Sequence, residues 1–397
     1  MMAALPQPAD QTLEAVDTAI ELRGNAERSR TYLGMSEIGK ACLRALWYGF
    51  RWCSKSDFDA LSLKRFEDGH RGEDLQADRL RMVDQVTLHT LDPRTGQQFA
   101  HSDIGGHFMG HSDGVIQGLL QAPSTTHVWE HKQVDDKKQV KLESLKLEHG
   151  EKGALAQWDP IYYAQAMLYC HYHGFTRHYL TCASPGGRRT VSVRTNADPN
   201  EAGKQRKKAE MVITAPEPLE RLSDRPDWYE CKWCNHHDIC HGARVAEVSC
   251  RTCVHATPTL DGDGRWICER YNVDLSEHNQ RTACHSHLLI PVLVPYAEAV
   301  DADDSGSWIE YTKLDGTVFR NGLDYYTSWE LSAVDQAMIG DPLVKTVKKT
   351  ELGLSQASQS ATNTRAHRSP AAPADISSAT PSVTAAAAVP APWEVMA

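Results

Sequence analysis

The segment "THVWEHKQV", residues 126 to 134, sets Glu130 and Lys132 two places apart in a strand-like run. Side chains alternate along a strand, so these two share one face while Trp129 and His131 take the other. Seventeen positions upstream of Glu130, "GHSDGVI" holds Asp113 between glycines. If the two strands pair, Asp113 stands opposite Glu130, and two carboxylates meet one ammonium. Carboxylates held together repel unless a cation lies between them. Hard oxygen ligands suit Mg2+ or Mn2+, ions that generate a hydroxide nucleophile and neutralise a phosphodiester transition state. Lys132 beside such an ion would orient the water or stabilise developing charge. The competing reading is an exposed strand with a Glu–Lys pair and an unrelated aspartate.

Further residues carry chemistry. Gln165 and Tyr169 lie four apart in a helical stretch and so share a face. Gly69 and Glu73 form Gly-x-x-x-Glu on an earlier helix, adding a carboxylate. "YECKWCNHHDIC" contains Cys231-x2-Cys234-x5-Cys240, a local spacing at which thiolates converge on one ion or cluster without long loops. A four-cysteine site lacks one ligand there, and Cys42, two places before Arg44, is the candidate. A second set, Cys250-x2-Cys253-x14-Cys268-x15-Cys284, fits a small structural zinc knuckle, with His285 or His287 as alternatives to Cys284. Cys53, Cys170 and Cys182 are left for cores.

The order acid on an early helix, Asp, Glu-x-Lys, then Gln-x-x-x-Tyr resembles the PD-(D/E)XK nuclease superfamily, specifically its RecB-like branch. The resemblance covers about residues 31 to 245. It implies that Asp113, Glu130 and the backbone carbonyl of His131 are metal ligands and that Lys132 is the catalytic lysine. Gln165 and Tyr169 would position DNA and the catalytic groups. Glu73 falls where many relatives carry His and would be a further ligand. One cysteine before the nuclease motifs and three after them is similar to iron–sulfur RecB-like exonucleases, among them the CRISPR-associated family and AddB-type subunits. That likeness implies a 4Fe–4S cluster on Cys42, Cys231, Cys234 and Cys240, stapling the two ends of the nuclease domain. Structural zinc, recruiting His236 or His237, is the alternative. "MSEIGKACLRALWY" looks like the family's Ser-to-Cys-x-Arg stretch, which would set Arg44 near a DNA phosphate.

These groups need a scaffold of mixed class, and the fold expected is α/β (α+β): a restriction-endonuclease-like mixed central sheet flanked by helices. "SEIGKACLRALWYG" reads as a helix from a Ser36 cap to Gly49, and another helix covers "FEDGHRGEDLQADRLRM". Strands fall around 86 to 90, 107 to 119 and 126 to 134, then a long helix over "WDPIYYAQAMLYCHYHG", then strands "RHYLTCAS" and "RTVSVRT". Residues 1–30 form a helical arm, 31–245 the nuclease-like domain, and 246–297 a Cys/His-rich unit. Residues 298–350 form a small β-rich appendage with an Asp-Gly turn. From 351 to 397 the Ala, Pro, Ser and Thr composition is that of a disordered tail.

With 397 residues, 41% hydrophobic and 24% charged, the chain has the composition of a globular protein. It begins without a signal-peptide pattern, and "LLIPVLVPY", broken by prolines, is too short for a membrane span. A cytoplasmic setting, the host bacterial cytoplasm if the gene is phage-borne, would keep the 11 cysteines reduced. The net charge of −10 does not advertise a nucleic-acid binder, although acidic metal ligands can mask a local basic groove. Two basic clusters, Lys137, Lys138 and Lys141, then Lys204, Arg206, Lys207 and Lys208, read as solvated faces. The expectation is a metal-dependent DNA exonuclease acting on duplex ends or single strands, with a single-strand annealing protein as partner by analogy and no membrane. A structure-specific endonuclease and a non-catalytic DNA-binding scaffold are the alternatives.

Overall fold

The computed structural model describes residues 10–26, 29–55, 57–341 and 343. The tail expected at 351–397 lies outside the described residues, as do parts of the arm at 1–30 and of the appendage at 298–350. The segment bearing Glu130 and Lys132 is a strand over His127–Gln133 whose first six residues are all buried. Burial on both faces belongs to a central strand of a covered sheet. An acid and a lysine on such a strand are therefore out of place in a purely structural core.

In chain order, the first described elements are α1 (Gln11–Gly24), β1 (Leu33–Gly34), α2 (Leu43–Phe50), α3 (Ala60–Arg81), β2 (Thr87–His89), β3 (Phe99–Asp103), β4 (Phe108–Ser112) and β5 (Gly114–Gln117). β6 (His127–Gln133), α4 (Asp136–Trp158), α5 (Pro160–His173), β7 (Arg177–Ala183), β8 (Thr190–Asn196) and α6 (Pro199–Thr214) complete the body. Two single-turn helices, α7 (Tyr229–Lys232) and α8 (His237–Cys240), follow. The Cys-rich stretch holds β9 (Ala256–Pro258), β10 (Trp266–Cys268), β11 (Val273–Asp274) and α9 (Glu277–Thr282). β12 (Ala297–Ala302), β13 (Trp308–Lys313), β14 (Val318–Gly322) and α10 (Ser328–Ala333) close the series.

The main sheet runs β2-β5-β6-β7-β8. β6 and β7 are parallel, with α4 and α5 filling the crossover between them; the other pairs are antiparallel. A smaller sheet, β1-β4-β3, lies beside it, with β1 parallel to β4. Asp113 alone separates β4 from β5, so the chain passes from one sheet into the other at that residue. The result is the mixed α+β class expected, with a mixed central sheet flanked by helices.

Three local readings need correction. The helix expected from Ser36 begins only at Leu43, and its N-cap is Cys42, whose Sγ accepts the Ala45 N–H at 3.4 Å. The helix expected from Trp158 starts at Pro160, and Trp158 is instead the last residue of α4. The sequence reading passed over α4, because Lys137, Lys138 and Lys141 crowd its start and Gly150 breaks its regularity with φ 73°. The boundary between the two helices is Asp159. Its Oδ1 accepts the N–H groups of Ile161 (2.9 Å) and Tyr162 (3.1 Å), Pro160 fills the first helical position, and Gly174 at φ 69° ends α5. This start sets the phase that turns Gln165 and Tyr169 inward.

The Cys-rich stretch and the β12-β13-β14 sheet share the apolar core of the body: Cys250, Cys253, Trp266, Leu289, Ile309 and Tyr311 belong with Leu46, Trp47 and Phe50. Two buried arginines cross the composition boundary at 245. Arg251, 1% exposed, donates to the carbonyls of Phe50 (2.9 Å) and Thr31 (2.8 Å) and to Gln280 Oε1 (2.9 Å). Its guanidinium lies 3.8 Å from the centre of the Trp52 ring. Arg51 returns the link, donating to the carbonyls of Arg251 and Ala256 at 3.1 Å each.

Candidate functional site

Gly114 pairs with Trp129 across β5 and β6, so the next position inward sets Asp113 opposite Glu130. The His131 N–H donates to Asp113 Oδ2 at 2.8 Å. Lys132 Nζ donates to Glu130 Oε1 at 2.7 Å, and Gln165 Nε2 donates to the same oxygen at 2.8 Å. Tyr169 follows one turn later, its hydroxyl 3.4 Å from Gln165 Nε2. Asp113 and Glu130 are each 2% exposed and Lys132 4%. One oxygen on each acid, Asp113 Oδ1 and Glu130 Oε2, has no hydrogen-bond partner among the described residues. A buried anion oxygen without a donor is costly, so this arrangement asks for a cation.

Electrostatics agree. Burial and then the carboxylates of Asp113 and Glu130 push Glu73 up to about 9, which brings that α3 acid to the same site. Burial and then Asp113 push Glu130 up to about 8. Burial raises Asp113 as well. Burial alone would depress Lys132, but Glu130 and Asp113 outweigh it and hold the ammonium charged. A single ammonium does not balance the acids. α3 packs on β6 at this point, where Gly72 faces the Gln133 side chain, a Cβ there lying 2.5 Å from Gln133 Oε1.

The donor set is hard oxygen, the chemistry Mg2+ and Mn2+ prefer, and the orphaned oxygens are the atoms available to such an ion. Among the described residues, no three His, Cys, Asp or Glu side chains stand close enough to hold a metal ion as placed. His131 enters through its backbone, whereas its ring turns to the opposite face, Nδ1 lying 3.0 Å from Thr181 Oγ1. Burial lowers that imidazole to about 4, so it stays neutral.

One site residue escaped the sequence reading. Tyr162, on α5, receives Lys132 Nζ 5.1 Å and Lys138 Nζ 4.5 Å above its ring. Lys138 also pairs with Asp159 at 2.8 Å, so that lysine of the first basic cluster is partly spent inside the fold. The signal was present: Tyr162, Gln165 and Tyr169 follow helical spacing along one stripe. Arg206 of the second cluster pairs with Asp103 at 2.6 Å.

The thiols fall into two places. Cys42, Cys231, Cys234 and Cys240 line one cavity of about 520 Å³, together with Arg44, His236 and His237. The His236 N–H donates to Cys234 Sγ at 3.4 Å, and His236 Nδ1 lies 2.6 Å from Ser54 Oγ. Arg44 faces this cavity and is engaged by the Leu219 carbonyl (2.6 Å) and the Tyr48 hydroxyl (3.1 Å). Cys250, Cys253, Cys268 and Cys284 line a second cavity of about 250 Å³. His287 is no substitute for Cys284, because its nitrogens are taken, 2.8 Å from Ser328 Oγ and 2.8 Å from the Ser249 carbonyl. His285 lies against Trp329. All 11 cysteines are free, and Cys53, Cys170 and Cys182 are buried in the core.

No protein-family model matches the chain, and no curated protein matches it. Among solved structures, it is similar to the crystal structure of SSO0001, with 14% identity and a TM-score of 0.33 over 58% of this chain and 96% of that one. It is also similar to an alkaline exonuclease, LHK-Exo from Laribacter hongkongensis, with 12% identity and a TM-score of 0.33 over 50% of this chain and 90% of that one. The complex of LHK-Exo with dAMP matches at 13% identity, with the same TM-score and coverage. At this level of likeness nothing follows about activity, which must be read from the geometry.

Proposed function

We propose that the chain is a Mg2+- or Mn2+-dependent deoxyribonuclease that hydrolyses phosphodiester bonds at DNA ends or in single strands. One observation carries the reading: two buried carboxylates, Asp113 and Glu130, each keep an oxygen unpartnered among the described residues beside a lysine bonded to one of them. A core selected for stability alone would replace such a set with apolar side chains. Asp113 and Glu130 would hold the ion, with Glu73 and the His131 carbonyl completing its shell. When bound, the ion would supply a water of lowered pKa and positive charge for the reacting phosphate.

The chain's own groups do the rest. Lys132 uses one N–H on Glu130 and keeps the others for the attacking water or a phosphate oxygen. Gln165 holds Glu130 Oε1 in place, and burial followed by Glu130 raises Tyr169, keeping its phenol a neutral donor. The Tyr162 ring steadies the ammonium from the other side. The first thiol set would carry a 4Fe–4S cluster joining α2 to the α7–α8 turn. Zinc on the same thiols, recruiting His236 or His237 from the cavity lining, is the alternative. Arg44, on the rim of that cavity, would meet the DNA backbone.

Labelled linear single- and double-stranded DNA, incubated with Mg2+ or Mn2+ and wild type or Lys132→Ala, tests the proposal. Cleavage by wild type and its loss in the variant is the expected result. DNA binding without cleavage by wild type would favour a scaffold, and cutting of closed circles would favour an endonuclease.

A further inference from the structure

We propose that Cys250, Cys253, Cys268 and Cys284 bind one structural zinc ion, and that this ion fixes Arg251 in its seat against the body. The four thiols come from separate places: a 3₁₀ turn at Cys250–Thr252 with the residue after it, the end of β10, and the loop beyond α9. They nevertheless line one cavity of about 250 Å³, and none is in a disulfide. The sheet around them has strands of only three, three and two residues, too short to hold their register by hydrogen bonds alone.

Arg251 sits between Cys250 and Cys253 on the turn, so whatever fixes the two sulfurs also aims the guanidinium. That guanidinium is the plug among Trp52, Phe50 and the Thr31 carbonyl. As placed, the thiols surround their cavity without closing on an ion. Zinc would draw Cys268 and the exposed Cys284 toward the buried Cys250 and Cys253. Binding exchanges thiol protons for metal: the Cys250 S–H, which donates to the Asn279 carbonyl at 3.1 Å, gives its proton to solvent, and no atom changes oxidation state.

Nothing here depends on nuclease activity, so the two readings fail separately. Iron and zinc are counted by mass spectrometry in the full-length chain purified without chelator. The expected result is one zinc per chain, lost in Cys268→Ser and Cys284→Ser but kept in Cys231→Ser, whose iron is lost. Since the serine variants can misfold, wild type stripped of metal is also titrated with Co2+. Tetrahedral thiolate–cobalt bands that zinc abolishes support the site. Arg251→Met should keep its zinc yet melt at a lower temperature, as the zinc-free wild type does. A chain without zinc, iron in this set, zinc lost from Cys231→Ser but not from Cys268→Ser, or an unchanged melting temperature on zinc removal would overturn the proposal.

Discussion

Glu130 is the group whose titration most directly reports whether the acidic site lacks a cation. In the metal-free protein, burial and Asp113 raise its carboxyl from 4.5 to about 8. The sign follows from linkage: the folded state keeps a proton that the unfolded chain releases, so stability is lost as pH rises between those values. Burial depresses His131 and His287 to about 4, and these two act in the opposite sense below their unfolded value near 6.5. A thiol of the unfolded chain begins to titrate only near pH 8. The clean window is therefore about pH 6.5 to 8, across which one raised carboxyl removes roughly 2 kcal/mol at about 1.4 kcal/mol per pH unit. For a chain of 397 residues that is a drop of roughly 2–3 °C in melting temperature.

The assay is thermal melting in EDTA at both ends of the window, for wild type and for Glu130→Gln. Gln keeps an oxygen to accept from Gln165 but cannot titrate. Wild type should show this drop from Glu130 together with a comparable one from Glu73, raised to about 9, and the variant should lose only the Glu130 share. Adding excess Mg2+ should raise the wild-type melting temperature more at the upper pH, where the ion no longer competes with protons. An equal drop in both proteins, or an Mg2+ effect independent of pH, would refute the account of the site as carboxylates awaiting a cation.

Lys132→Ala should lower cleavage by roughly 10²–10⁴-fold, read in single-turnover assays, because its ammonium is the only cation bonded to Glu130 among the described residues. Gln165→Ala leaves Glu130 Oε1 held by Lys132 alone and should cost roughly 10–100-fold in Mn2+ affinity or activity, measured by calorimetry and rate. Gly39→Ala would place a Cβ 2.4 Å from Ile161 Cα, forcing the start of α5 to move; a loss of about 1–3 kcal/mol in denaturant unfolding should accompany weaker cleavage. Arg251→Met leaves the carbonyls of Phe50 and Thr31 and the Gln280 oxygen without their donor, and should cost roughly 3 kcal/mol or more by the same measurement. Cys42→Ser should abolish the iron absorbance of anaerobically purified protein.

Much of the site is legible in the chain itself because its signals are local. Period-two alternation puts Glu130 and Lys132 on one face of β6, helical spacing aligns Gln165 with Tyr169, and Cys-x2-Cys spacing groups thiols. The same locality explains the misses. Cationic side chains conceal α4, and a cysteine rather than Ser36 caps α2. Tyr162 looks like any helix aromatic until Lys132 stands over it. What only the tertiary structure decides is how distant segments meet. The β5–β6 register sets Asp113 against Glu130, the close approach of α3 brings in Glu73, and Arg51 and Arg251 tie the Cys-rich stretch to the body. Residue type and spacing fix which faces exist. Register, burial and the field of neighbouring charges arise from segments far apart in the chain, and these leave two carboxylate oxygens without a donor among the described residues.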